Sequence, residues 1–457
     1  MSKISVTETT GRKRFLYPAI SILVFVFLLA GCAQGNKPGQ GTGGSQEAQG
    51  GRTGDAQVTI DFWFPWGGDF QKEFKENVVD VFEQKHPNIK VKMTFVENSG
   101  ETQASDKLLT AIAGGNPPDV ALFDRFLIGS WAARGSLTDL TDMAKADNIS
   151  QEDYYPSLWA EAVYEGKLYG LPWGTDNRAM FYNKTLLRES GLDPDKPPVT
   201  IRELDTMAEK IYRKGSNDKY EQIGFIPWMN QGFLYTHGWN WGGLWEKNGE
   251  LTPNDPQIVK ALEWMVEYAK KYNVETMTSF SDSMKQTGMN AFWTGKVGFV
   301  YDGNWILNDL NKYKVDFEWG VAPMPTPEGM EPVTWAGGWS YVIPKGAKHL
   351  NEAWEFVKFV AHKEGTLLWA KRETAGNDIT AMPSVNEELK MDENPNLKVF
   401  LDLMPRAFTR PVTPVGSFLW NEAIRVTDLA INGKGEPQQL LDEVKRNVDA
   451  ELEKLKK

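Results

Sequence analysis

The chain has 457 residues and a formal net charge of −11, long enough for two or three domains at ~150 residues each. An acidic body without a long basic run excludes a nucleic-acid binder, whose affinity comes from Lys and Arg contacts to phosphate. One cysteine and four scattered histidines (His86, His237, His349, His362) leave no thiols for a disulfide, zinc or iron–sulfur site and argue against a metal enzyme. No cofactor is expected.

In chain order, Lys3, Arg12, Lys13 and Arg14 precede an apolar run over residues 15–30. The run is shorter than the ~20 apolar residues of a spanning helix, and Pro18 weakens it further. Basic opening, short apolar run and small residues are the parts of an export signal. Leu29-Ala30-Gly31-Cys32 resembles the bacterial lipobox. That resemblance implies a signal peptide over residues 1–31 and acylation of Cys32 as the first mature residue. The alternative is a retained anchor helix with a spare thiol. Residues 32–56 are rich in Gly, Gln and Ser and read as a flexible tether.

Residues 57–64 alternate as a first strand, and apolar residues recur at three and four over 70–84 as a helix. Residues 89–96 read as a second strand, 105–113 as a helix and 119–123 as a short buried strand. This βαβαβ start implies an open α/β sheet with ligand chemistry at the carboxyl ends of its strands. Helical periodicity returns over 201–213 and 258–272. A strand over 297–301, a helix over 305–313 and an extended stretch over 320–327 follow. Helices are expected over 351–361 and 436–455.

Aromatic content is high: 18 Trp, 14 Tyr and 23 Phe. Trp264 and Trp354 sit in helical apolar patterns and read as core. Others, such as those of Gly238-Trp239-Asn240-Trp241-Gly242-Gly243, are flanked by Gly and Asn in expected loops. A broad apolar face with one donor suits a ligand that is apolar on its C–H faces and polar at its edge, as a sugar ring is.

Four segments carry a further resemblance: KLLTAIAGGNPPDVALFD (107–124), GKLYGLPWGTDNRAMFYNKTLL (166–187), AFWTGKVGFVYDGNW (291–305), and 320–365 with GVAPMPTPEG and GGWSYVIPKG. In this order, behind a lipobox, the chain resembles the extracellular solute-binding proteins of ABC importers, in the carbohydrate-binding group that includes maltose-binding protein. The resemblance implies a type II periplasmic-binding-protein fold, two discontinuous α/β lobes closing by hinge bending. The expected lobes are 57–173 with 340–405 and 174–339 with 406–457. Crossovers are placed at 171–175, 337–340 and 404–413, with Gly337 and Gly338 able to absorb backbone rotation.

The same resemblance places ligand-binding residues. Asp124 and Arg125 match an Asp-Arg-Phe whose acid and base bind sugar hydroxyls. A carboxylate accepts two hydroxyl hydrogens and a guanidinium donates in a fixed fork. Asp176 falls where the family has an acidic sugar ligand, beside Asn177, with Trp173 as a further contact or as packing. Trp305 matches a stacking tryptophan after a strand end that also carries Asp302 and Asn304. Asp302 departs from the maltose-binding pattern and points to a different sugar. Trp66, Trp228, Trp239, Trp241, Trp335, Gly338, Trp339 and Trp420 complete the candidates, with about half of the tryptophans expected to be structural.

The expected role is capture of an oligosaccharide and delivery to an ABC permease, by a monomer lipid-anchored on the outer face of the cell membrane, as in Gram-positive bacteria. A surface lipoprotein that signals to a receptor is an alternative. So is a glycoside hydrolase, since Asp124, Asp176 and Asp302 could supply two carboxyls ~5 to 9 Å apart.

Overall fold

The computed structural model describes residues 57–97, 103–215, 219–285, 290–372 and 378–455. The expected signal peptide, Cys32 and the tether lie outside the described residues. The alternation read at the start of the chain forms β1 (Val58–Phe64), with Ile60, Phe62 and Phe64 fully buried. It runs parallel to β2 (Ile89–Phe95) and β3 (Val120–Asp124). The helix expected over 70–84 forms in three pieces: α1 (Gly68–Phe74), a π-helical turn Lys75–Val79 and a helix Asp80–Lys85. Phe74, Val78 and Phe82 on this run are fully buried, each contributing about 1.5–3 kcal/mol by leaving water. At the entry to β3 the Asp119 carboxylate accepts from the backbone N–H groups of Asp61, Lys348 and His349, each at 3.0 Å. Burial works against this carboxylate, yet those bonds and His349 hold its pKa below the usual value.

The remaining strands of the nine-stranded sheet are β4 (Leu171–Asn183), β5 (Phe299–Gly303), β6 (Trp319–Ala322), β7 (Thr334–Val342), β8 (Ile379–Thr380) and β9 (Ala407–Phe408). The main path runs β5, β4, β7, β3, β1, β2. β4 is long enough to serve two sets of partners. Its first half pairs antiparallel with β7 through Asp176 opposite Gly337, and its second half with β5 and β6. β7 likewise meets β3 through Trp339 opposite Asp124, and β9 through Trp335 beside Phe408.

The three segments expected as crossovers therefore lie side by side: 171–175 in β4, 337–340 in β7, and β9 within 404–413. The β4–β7 register shifts between Gly338 and Ser340. Gly338 has φ +125°, and a Cβ there would stand 2.4 Å from the Gly174 carbonyl oxygen, so only glycine fits the bulge.

Beneath this bulge lies Arg125, wholly buried. Its Nε donates to Glu161 Oε2 at 2.8 Å and Nη2 to the Gly337 carbonyl at 2.6 Å. Nη1 donates to the Gly174 and Trp339 carbonyls at 3.3 and 3.4 Å. One guanidinium thus holds both β4 and β7.

Candidate functional site

The cleft beside these strands has a volume of about 920 Å³. Trp66 follows the carboxyl end of β1, and Asp69, Phe70 and Glu73 come from α1. β4 contributes Trp173 to Asp176, and β7 contributes Trp339. Asn304 and Trp305 leave the end of β5, followed by Asn308, Asp309 and Lys312 on α2 (Ile306–Tyr313). Thr366 and Trp369 come from α3 (Lys363–Ala370), with Arg372 beyond it and Asp378 ahead of β8.

One wall is aromatic. Trp66 meets Trp339 edge-on at 4.7 Å and Phe70 at 5.1 Å. Trp369 packs on Phe70 at 4.8 Å and Phe74 at 5.3 Å, and the Arg372 guanidinium lies 3.5 Å over its ring. One face of Trp369 is therefore taken. Trp66, Trp339 and Trp305 are each only partly buried and line the space.

Polar groups are paired around the rings. Arg372 bonds Asp378 and lies 3.5 Å from Glu73, and Asn308 donates to Asp378 at 3.1 Å, linking α2 to the segment ahead of β8. Asp176 bonds Arg178, whose pKa burial pulls down while the Asp176 charge opposes that shift. Burial raises the Asp309 carboxyl, with Lys312 acting in the other direction. Among the described residues no cluster of three His, Cys, Asp or Glu side chains could hold a metal ion.

Of the residues singled out in the sequence, Trp66, Asp176, Asn304, Trp305 and Trp339 meet in this cleft, with Trp173 beside them and Gly338 in the bulge next to Thr175. The others do not line it. Arg125 is engaged by Glu161 and three carbonyls. Asn177 is fully buried and donates to the Phe400 carbonyl at 2.8 Å. Asp302 is 3 % exposed and accepts from Asn230, Asn290 and its neighbour Gly303; burial raises its pKa. Asp124 caps the turn after β3 and accepts from Arg410 at 3.3 Å.

Trp239 stacks on Phe408 at 5.6 Å and Trp420 on Tyr235 at 5.2 Å, both in the core. Trp335 donates to Thr236 at 2.8 Å and is 2 % exposed. Trp228 and Trp241 are partly buried against the same core. Trp239 and Trp241 read as loop residues by their Gly and Asn neighbours, but Trp239 lies in the helix Leu234–Asn240, and Trp420 lies in the helix Gly416–Ile431.

Sequence reasoning missed the helical contributors Asp69, Glu73, Asn308, Lys312 and Trp369, and Arg372 just past α3. Nothing in the sequence set them apart from the outer faces of helices. Asp69 and Glu73 are three and seven residues past Trp66, and Asn308 and Lys312 are three and seven past Trp305. Trp305 is the N-cap of α2, whereas Trp66 precedes α1 and Arg372 follows α3.

Residues 67–366 match the family described as bacterial extracellular solute-binding protein. This chain belongs to that family. It is 29% identical over 315 residues to the maltooligosaccharide ABC transporter solute-binding lipoprotein of Streptococcus pneumoniae, covering 66% of this chain and 68% of that protein. It is 25% identical over 368 residues to the arabinooligosaccharide-binding protein of Bacillus subtilis, 76% of this chain and 75% of the other. The solved structure of CpMnBP1 with mannobiose bound superposes with a TM-score of 0.74 at 28% identity, covering 86% of this chain and all of that one. Maltose-bound T. maritima MalE3, at 21% identity and a TM-score of 0.69, shares the fold. The architecture of this solute-binding protein is accordingly the two-lobed α/β fold of the MalE type.

Proposed function

We propose that this protein captures an uncharged oligosaccharide of two or more units and delivers it to the transmembrane subunits of an ABC importer. The observation that carries the reading is that Trp66, Trp339 and Trp305, borne by three different elements, line one cleft together with Asp176. Ring faces suit the C–H faces of sugars, and the Asp, Asn and Arg groups suit their hydroxyls. The sugar-binding names of the two relatives and the mannobiose in the solved structure support the same ligand class.

In this reading residues 57–173 with 340–405 form one lobe and 174–339 with 406–457 the other, and the lobes close over the sugar about the β4, β7 and β9 segments. The ligand leaves chemically intact. Cys32 carries the lipid, residues 32–56 supply the reach, and the protein works as a monomer on the outer face of the membrane. A thermal-shift panel tests the ligand class. The melting temperature should rise with an oligosaccharide, by an amount equivalent to ~2.7 kcal/mol at a hundredfold excess over Kd. A shift with an amino acid, a polyamine or a metal ion, and none with any glycan, would contradict it.

A further inference from the structure

Arg178 follows Asp176 by two residues on β4, so both side chains leave the same face of the strand. Its Nη1 bonds Asp176 Oδ1, and its Nε donates to Gln231 Oε1 at 3.1 Å. The guanidinium carbon lies 3.6 Å over the Trp335 ring and 5.2 Å over the Trp305 ring. Trp335 is part of the core, whereas Trp305 lines the cleft. Arg178 itself is 6 % exposed and does not line the cleft.

Two glycines make room for this arrangement. A Cβ on Gly337 would stand 2.8 Å from Asp176 Oδ1 and 3.1 Å from Arg178 Nη1. A Cβ on Gly303 would fall 1.9 Å from the Trp305 ring, so Trp305 folds back over bare backbone. The guanidinium plane is therefore the common neighbour of an acidic and an aromatic cleft residue.

We infer that Arg178 is a positioning residue for ligand recognition, fixing the Asp176 carboxylate and the Trp305 ring relative to each other without touching the sugar. A planar guanidinium can do both at once, bonding in its plane and stacking on its face, which a lysine ammonium cannot. This inference rests on the oligosaccharide reading for its affinity consequence, but the placement of Trp305 can be read without any ligand.

The test uses protein labelled with 5-fluorotryptophan, with the Trp305 fluorine resonance assigned by Trp305→Phe, together with calorimetric titration of mannotriose and maltotriose. Arg178→Met should shift the Trp305 resonance in the ligand-free protein and lower affinity at least tenfold for whichever probe binds. Arg178→Lys should restore less than half of the lost affinity on a logarithmic scale. Gly337→Ala, which leaves Arg178 in place but crowds its pair, should move the same resonance and provides the reading if Arg178→Met does not fold. A double change with Asp176→Asn should cost no more than the larger single change. An unmoved Trp305 resonance, or unchanged affinity for a probe the wild type binds, would overturn the inference. If the wild type binds neither probe, the oligosaccharide reading is decided by the wider glycan panel and the resonance alone decides the role of Arg178.

Discussion

At the scale of single residues, tryptophans of similar appearance in the sequence have opposite roles. Trp305 faces the cleft over Gly303, so Trp305→Ala should weaken sugar binding by about tenfold or more, each decade being ~1.4 kcal/mol, with a small change in stability. Trp264 is 5 % exposed within the helix Pro256–Tyr272 and its Nε1 points at Asp205. Trp264→Ala should leave a cavity and cost ~3 to 5 kcal/mol. Titration calorimetry beside urea unfolding separates the two, and equal effects on affinity would contradict the placement of the cleft. His237 gives a pH prediction. Burial lowers its pKa to about 4 against the helping contact to the Pro227 carbonyl at 2.7 Å. The folded pKa is thus below the unfolded value near 6.5, so the unfolded chain binds the extra proton first as pH falls. Its stabilising effect is complete above pH ~6.5 and is lost between there and about 4, by roughly 3 kcal/mol in total. His237→Phe should flatten the urea midpoint over that interval relative to wild type.

At the scale of elements, the β4–β7 pairing, where the crossover is expected, carries the strictest local demands. Gly338→Ala imposes a side chain on φ +125° and against the Gly174 carbonyl. It should cost at least the ~1–3 kcal/mol of a strained backbone site. Arg125→Met should cost ~3 to 5 kcal/mol, because Glu161, 2 % exposed, loses its buried cation. Both are read from denaturation midpoints, and near-neutral results would mean that the crossover tolerates other packings. The same elements mark where the sequence was legible. β1, β2 and β3 were readable because their alternation and flanking turns agree with their final environment. β4 was readable only in part. Pro172, Gly174, Asp176 and Asn177 are poor strand formers by propensity, and the segment is extended in its pairing with β7, where Gly337 lies opposite Asp176 and Gly338 opposite Thr175. In the cleft, Trp66 and Trp305 could be found from their positions after strands, and Asp176 and Trp339 from the family resemblance and the tryptophan clusters, although both lie within strands. Asp69, Glu73 and Lys312 could not, since polar residues on a helix face read as solvated until a facing element is known.

At the scale of the whole molecule, β4 and β7 each join two halves of one sheet, and the cleft draws its walls from both halves. Ligand that stacks on Trp66 and Trp339 and also on Trp305 should draw those walls together. Small-angle scattering should then record a smaller radius of gyration with bound sugar, and chromatography after long incubation should return the sugar intact. Steady accumulation of shorter products, abolished by Asp124→Asn or Asp176→Asn, would instead mark a hydrolase. The central claim is capture of an oligosaccharide in this cleft, and calorimetric titration of the protein with mannotriose, maltotriose and an arabinooligosaccharide tests it most directly. Saturable one-site binding of at least one of them is predicted. Absence of binding heat with all three, over a range of temperatures and alongside saturable binding of an amino acid or polyamine, would contradict the account.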